Sequence, residues 1–130
     1  MNHVDRQIEA LVELINEYVE TENNIASLPI GYISVKNISG KTYYYRQWRE
    51  DNKIRSEYVS TPLLNSVKRK IMIRKENEQL LKMIRKDYQK MVKKIVKDGT
   101  LTEENINELL EAGRRGEGVA ALAESMLLNN

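Results

Sequence analysis

The chain has 130 residues, of which 31% are charged and 41% hydrophobic, with no cysteine and one histidine. This composition excludes disulfides, thiolate metal sites and cysteine nucleophiles, and a single histidine, His3, excludes multi-histidine metal centres. No apolar run approaches the roughly 20 residues of a membrane span, so no membrane partner is expected. We therefore predict a cytoplasmic protein that is not an enzyme and uses no cofactor.

Charge is segmented along the chain, although the formal net charge is only +2. Residues 1–30 carry −5 and residues 99–130 carry −4. Between them, residues 31–60 carry +3 and residues 61–98 carry +8. Two acidic ends thus flank a strongly basic middle, and a function must account for that middle.

The first segment, residues 1–28, is predicted to be an acidic amphipathic helix. Its apolar residues recur at alternating steps of four and three, which places them in one stripe of a helix. These residues are Val4, Ile8, Leu11, Ile15 and Tyr18. Pro29 and Gly31 end the connection that follows.

Residues 31–60 are rich in β-formers and predict a three-stranded antiparallel meander, with strands at 32–38, 41–50 and 53–59. The dipeptides Ser39–Gly40 and Asp51–Asn52 suit two-residue hairpin turns, because Gly and Asn accept a positive φ. These turns pair Val35 with Tyr44 and Tyr45 with Tyr58.

That register assigns each side chain to one of two faces. One face carries Ile33, Val35, Tyr44, Arg46, Trp48, Lys53, Arg55 and Val59. The other carries Tyr32, Lys36, Ile38, Tyr43, Tyr45, Gln47, Arg49, Ile54 and Tyr58. Three strands alone are marginally stable, so we expect a helix to cover one face and the other to remain available.

Residues 61–98 predict one long, basic, coiled-coil-like helix, which Thr61 caps and Pro62 begins. Its expected stripe consists of Ile73, Leu80, Ile84, Met91 and Ile95. A long helix with an incomplete heptad pattern favours self-association, and a homodimer is expected.

Residues 99–130 predict an acidic cap of two short helices, which completes an α+β fold. Thr100 and Glu103 match a capping box before the first of these helices. Gly113 is expected to end it, and the glycine-flanked Arg114 and Arg115 are read as a helix–helix connection. The last helix is predicted over 119–128.

Aromatic and basic residues together predict a nucleic-acid contact, with DNA favoured over RNA. Tyrosine rings stack on bases, while arginine and lysine neutralise phosphates. The candidate sheet residues are Tyr43, Tyr45, Gln47 and Arg49 on one face, or Arg46, Trp48 and Arg55 on the other. Lys68, Arg69, Lys70 and Lys75 of the long helix would add affinity without sequence choice. Alternatively, the aromatics only pack the sheet, and the acidic ends neutralise the basic helix.

The meander also resembles that of an uncharacterised family of small bacterial and phage proteins. The resemblance lies in GYISVK from Gly31, GKTYYY from Gly40, WRE from Trp48, then Lys53 and the SEY that begins at Ser56. It covers roughly 31–95 and implies a phage or mobile-element context without a known activity. More distantly, the meander is similar to the three-stranded DNA-binding sheet of tyrosine-recombinase integrases.

A second hypothesis belongs to another class of protein. Clustered carboxylates imitate phosphates, so the acidic ends are consistent with a phage-type inhibitor, resembling an anti-CRISPR protein or an antitoxin, that binds a nuclease or another nucleic-acid-processing protein. A third possibility is a purely structural coiled-coil assembly factor.

Overall fold

The computed structural model describes residues 3–129, and the side chains of residues 6–129. The fold is α+β, as predicted. Its elements in chain order are α1 (His3–Ser27), β1 (Tyr32–Ile38), β2 (Lys41–Glu50), β3 (Lys53–Val59), a 3-10 turn (Thr61–Leu63), α2 (Leu64–Lys97), α3 (Glu103–Arg114) and α4 (Val119–Asn129). None of the described helices is both long and apolar enough to cross a membrane.

The chain forms two compact units. Residues 24–78 form one unit, which we call the sheet unit because it contains the three strands. Residues 1–23 and 79–130 form the other, which we call the helical unit. Both α1 and α2 contribute residues to both units.

The core of the helical unit is built from the apolar stripe of α1. The predicted stripe is confirmed at Ile8, Leu11, Ile15 and Tyr18, which are buried, whereas the side chain of Val4 lies outside the described part. Ile95 of α2, Ile106 and Leu109 of α3 and Val119 of α4 are also buried. Each such side chain contributes about 1.5–3 kcal/mol through burial.

Within the helical unit, α1 and α2 are antiparallel. Near the start of α1, Gln7 Nε2 donates a hydrogen bond to Asp98 Oδ2, just beyond α2, at 3.2 Å. Further along α1, the Tyr18 ring meets the Tyr88 ring edge to face, with centroids 5.4 Å apart. Arg85 Nε also donates to the Tyr18 hydroxyl, at 3.2 Å.

The predicted stripe of α2 is correct in its C-terminal half and wrong in its N-terminal half. Ile84 and Ile95 are buried and Met91 is half-buried, but Ile73 and Leu80 are exposed. Ile71 and Leu81 are buried instead. The seam of α2, which is its surface between Ile71 and Leu81, contains polar side chains. Its apolar period therefore cannot be read from the sequence.

Three predicted helix ends are wrong. Thr61 begins a 3-10 turn rather than capping α2, and Ser60 before that turn makes no side-chain capping bond. The cap of α3 is Thr102 rather than Thr100, because Thr102 Oγ1 accepts from the Asn105 backbone N–H at 3.0 Å. Gly113 lies inside α3, where a methyl group would lie 3.2–3.3 Å from apolar side chains of α1 and α4.

The sheet has the order β1-β2-β3, and the predicted register is confirmed. Val35 pairs with Tyr44, and Tyr45 pairs with Tyr58. Ser39 and Gly40 have φ of 52° and 81°, and Asp51 and Asn52 have φ of 51° and 61°. Two consecutive positive φ values are those of a type I′ turn, whose twist matches that of the strands it joins.

The expectation that a helix covers one face of the sheet is wrong. Val59, the last residue of β3, is the only buried residue in the three strands, all of which the structure describes. Neither face alternates cleanly between apolar and polar residues, so the pattern could not show which face would be buried. Both faces therefore present exposed side chains.

Candidate nucleic-acid interface

The strand register divides the sheet into two chemically different faces. The tyrosine face comprises Tyr32, Ser34, Lys36, Ile38, Lys41, Tyr43, Tyr45, Gln47, Arg49, Ile54, Ser56 and Tyr58. The tryptophan face comprises Ile33, Val35, Asn37, Thr42, Tyr44, Arg46, Trp48, Glu50, Lys53, Arg55, Glu57 and Val59. The predicted sheet residues are therefore separated as expected: Tyr43, Tyr45, Gln47 and Arg49 share one face, and Arg46, Trp48 and Arg55 share the other.

Exposed apolar and aromatic area is concentrated on the tyrosine face. Tyr32 is 51% exposed, Ile38 50%, Ile54 61% and Tyr58 56%. On the tryptophan face, Val35 is the one strand hydrophobic with comparable exposure. These four side chains lie on the two edge strands, so the tyrosine face exposes more apolar and aromatic area than the tryptophan face.

The two faces also differ in charge. The tyrosine face carries three basic side chains, Lys36, Lys41 and Arg49, and no acidic one. On the tryptophan face, by contrast, Glu50 and Glu57 accompany three bases and pair with two of them, Arg55 and Arg46. Among the described residues, none of the three bases on the tyrosine face forms an ion pair, so their charge is available to a partner.

Three tyrosines at the centre of the tyrosine face form a cluster. The Tyr58 ring contacts two others, with its centroid 5.9 Å from that of Tyr45 and 6.4 Å from that of Tyr43. Lys36 Nζ lies 4.7 Å from the centroid of the Tyr45 ring. These contacts hold the rings in position while leaving Tyr43 and Tyr45 half-exposed, so part of their surface can stack with a ligand.

Arg46 on the tryptophan face is committed to internal contacts. Its guanidinium carbon lies 3.9 Å from the centroid of the Trp48 ring. Its two terminal nitrogens donate to the Ile30 carbonyl at 2.7 Å and to Glu57 Oε2 at 2.9 Å. Arg55 lies 3.5 Å from Glu50, and both of these side chains are exposed. The candidate bases of this face are thus at least partly neutralised.

In the sheet unit, two of the four predicted helix residues lie beside the sheet. A shallow groove of about 310 Å³ is lined by Tyr32 and Ile33 of β1 and by Lys68, Ile71, Met72 and Lys75 of α2. Lys68 and Lys75 therefore add two basic side chains beside Tyr32, next to the bases of the tyrosine face. Arg69 and Lys70 are exposed on α2 but do not line this groove.

Arg74 has a structural role that the sequence did not reveal. Its Nη1 donates to the carbonyls of Ile25 and Leu28 at 2.7 Å each, and its Nε donates to Glu78 Oε1 at 2.9 Å. It thereby satisfies the Leu28 carbonyl and adds a second donor to the Ile25 carbonyl, which also accepts from the Leu28 backbone N–H at 3.2 Å. Arg74 and Glu78 occupy the seam of α2 that apolar residues would occupy in a regular heptad.

Within residues 6–129, whose side chains the structure describes, the acidic ends form no ion pair with the basic helix. Among the side chains described, Arg74 is the only base of α2 in an ion pair, and its partner Glu78 belongs to the same helix. Seven further lysines and arginines of α2 lie in the helical unit without such a pair.

The two arginines at the end of α3 are held by carboxylates. Arg114 bonds both oxygens of Glu22 at 3.0 Å, and Arg115 bonds Glu117 and Glu108. Hydrogen bonding to Arg115 lowers the pKa of Glu117, and hydrogen bonding to Glu22 raises that of Arg114. Arg114 is therefore the last residue of α3, and only Arg115 belongs to the α3–α4 connection that the sequence predicted for both. No three His, Cys, Asp or Glu side chains within the described residues are placed to hold a metal ion.

Comparison with known proteins identifies the family. Residues 3–69 match the model of a domain of unknown function, DUF6788, and the chain belongs to that family. The match includes α1, the whole meander and the start of α2, whereas the resemblance noted from the sequence covered 31–95. Neither curated proteins nor solved structures give a match.

Proposed function

We propose that this protein binds nucleic acid, without catalysis, through the tyrosine face. The observation that carries the proposal is the combination of exposed tyrosines with three bases and no acid on one face. Base stacking on aromatic rings contributes about 1–3 kcal/mol per base. Phosphate neutralisation by Lys36, Lys41 and Arg49 adds a term that depends on salt.

Further groups complete the proposed contact. Gln47 lies on the same face and can hydrogen-bond a base edge, as glutamine does with adenine. Lys68 and Lys75, beside Tyr32 in the groove, would contact the backbone of the same nucleic acid. DNA rather than RNA is the expected ligand, as was already predicted from the sequence.

Matched charge variants on the two faces test the proposal. Lys36→Ala with Arg49→Ala removes two charges from the tyrosine face, and Lys53→Ala with Arg55→Ala removes two from the tryptophan face. The binding of labelled single-stranded DNA, duplex DNA and RNA is measured by fluorescence anisotropy at low salt. We expect the first pair to weaken binding at least tenfold and the second to change it less than threefold. Equal effects, or no binding by the wild type, would refute the proposal.

A second candidate function is the inhibition of a nucleic-acid-processing protein. It is supported by four exposed carboxylates, Glu9, Glu13, Glu17 and Glu20, which follow one another at steps of four or three on α1. Such a row of charges can imitate a phosphate backbone. Purification from the native host, with and without nuclease, separates the two functions. A stoichiometric protein partner that survives nuclease favours inhibition, and recovery of nucleic acid alone favours the first proposal.

Three narrower expectations belong to the same proposal. The protein acts in the cytoplasm, as a homodimer, in a phage or mobile-element context. The resemblance noted from the sequence supports that context, and the neighbouring genes test it. A nearby integrase would favour the DNA-binding function, and a nearby nuclease or defence system would favour inhibition.

A further inference from the structure

The helical unit contains an open groove between α1 and the C-terminal part of α2. Its volume is about 670 Å³. Ala10 and Leu14 of α1 and Met91 of α2 supply its apolar lining, and Leu14 and Met91 are half-buried. Six charged side chains also line it: Arg6, Glu13, Glu17, Asp87, Lys90 and Lys94.

The charges are sorted along the groove because the two helices are antiparallel. The contact of Gln7 with Asp98 places the start of α1 beside the end of α2, so Arg6 and Lys94 lie towards one end. The contact of Tyr18 with Tyr88 places Glu17 and Asp87 towards the other end. One end is thus basic and the other acidic.

The middle of the groove is electrically balanced, with Glu13 from α1 and Lys90 from α2. Among the described residues, none of the six charged side chains takes part in an ion pair. Within the described residues, the groove therefore combines a small apolar floor with exposed charges of opposite sign at its two ends that have no ion-pair partner.

We propose that a second copy of this chain docks on this groove to form a two-fold symmetric dimer. A two-fold rotation through the middle of the groove places the basic end of each copy against the acidic end of the other. A surface with opposite charges at its ends is complementary to itself in that arrangement. Leu14 and Met91 of both copies then meet at the centre, where their remaining exposed apolar surface is buried from water.

Other classes of occupant match this groove less well. A nucleic acid is attracted by Arg6 and Lys94 but repelled by Glu17 and Asp87. From Arg6 to Glu17 the groove is about 16 Å long at 1.5 Å per residue, which corresponds to three helical turns. This length is enough for the antiparallel helix pair of a second copy to pack along it. The inference is independent of the nucleic-acid proposal, because the tyrosine face belongs to the other unit.

Charge reversal at each end tests the arrangement. Glu17→Lys with Asp87→Lys makes both ends basic, and Arg6→Glu with Lys94→Glu makes both ends acidic. Dimerisation of each variant by itself should be weakened at least tenfold, so that each sediments as a monomer. An equimolar mixture of the two variants should form a heterodimer. Sedimentation velocity measures the oligomeric state, and circular dichroism confirms that each variant is folded.

Matched controls reverse the same number of charges outside the groove. These are Glu9→Lys with Glu20→Lys and Lys86→Glu with Lys93→Glu, all at exposed positions. Both controls should dimerise like the wild type. The proposal is overturned if the wild type stays monomeric at about 100 µM, if the groove variants still dimerise, or if the mixture of variants stays monomeric.

Discussion

The Arg46 guanidinium carbon lies over the Trp48 ring, 3.9 Å from its centroid, while the guanidinium donates to the Ile30 carbonyl and to Glu57. One side chain thus joins the chain entering the sheet, the central strand and β3. Only 16% of its side-chain surface is exposed. Arg46 is therefore a structural residue of the sheet, whereas Arg49, three positions later, is exposed on the opposite face.

Arg46→Ala should destabilise the protein with little direct effect on nucleic-acid binding. The loss of a charged hydrogen bond and a cation–π contact predicts about 1–3 kcal/mol less free energy of unfolding. Urea denaturation measures this loss, and Arg49→Ala serves as the control, with an expected change within about 0.5 kcal/mol. Equal unfolding midpoints for the two variants would contradict the assignment of Arg46.

Arg74→Met should likewise lower the free energy of unfolding, by about 1–3 kcal/mol. The substitution keeps an unbranched side chain in the seam but removes the Arg74 hydrogen bonds to the Ile25 and Leu28 carbonyls. Lys75→Met, at the adjacent exposed position, is the matched control and should be nearly neutral. If both variants unfold at the same urea concentration, the Arg74 hydrogen bonds to the Ile25 and Leu28 carbonyls do not stabilise the fold.

How far the sequence predicts this structure depends on whether the signal is local. The apolar stripe of α1 and the register of the meander were predictable, because helix periodicity and two-residue turns act over a few residues. The seam of α2 was not, since Arg74 and Glu78 take positions of the apolar period and Arg74 donates to carbonyls that are distant in sequence.

The candidate site was predictable in part for the same reason. Strand alternation correctly grouped Tyr43, Tyr45, Gln47 and Arg49 on one face. The hydrogen bond from Arg46 to the Ile30 carbonyl could not be foreseen, because Ile30 belongs to the loop before β1. The placement of Lys68 and Lys75 beside Tyr32 likewise depends on tertiary structure, which no sequence period encodes.

Gly31→Ala should disrupt the start of the sheet. Gly31 has a φ of +114°, and a Cβ there would clash with the backbone carbonyl oxygen of Gln47. We expect a loss of about 2 kcal/mol or more. Gly40→Ala is the control, because its φ is +81° but no atom lies within 4 Å of the added carbon. That variant should lose only about 1 kcal/mol, and a larger loss for Gly40→Ala than for Gly31→Ala would contradict the expected clash.

Tyr88 should make the protein less stable at alkaline pH. Burial, and then the proximity of Tyr18, raises the pKa of Tyr88 above its ordinary value of 10.0. Above pH 10 the unfolded chain therefore loses this proton while the folded chain retains it, so stability falls as pH rises.

Tyr88→Phe should reduce that alkaline loss. The Tyr88 hydroxyl is buried without a hydrogen-bond partner, so its removal should leave stability at pH 7 unchanged or raise it by up to about 1 kcal/mol. Urea denaturation at pH 7 and above pH 10 measures both effects. A variant that loses as much stability as the wild type above pH 10 would show that Tyr88 is not the responsible group.

The salt dependence of DNA binding tests the central claim most directly. Affinity for a labelled oligonucleotide is measured over a range of salt concentrations, for the wild type and for Lys36→Ala with Lys41→Ala and Arg49→Ala. Each neutralised phosphate contributes roughly 0.7–0.9 to the magnitude of the slope of log affinity against log salt. If the tyrosine face neutralises phosphates, that magnitude should be smaller by about 2–3 in the variant. An unchanged slope, or no binding by the wild type at low salt, would contradict it.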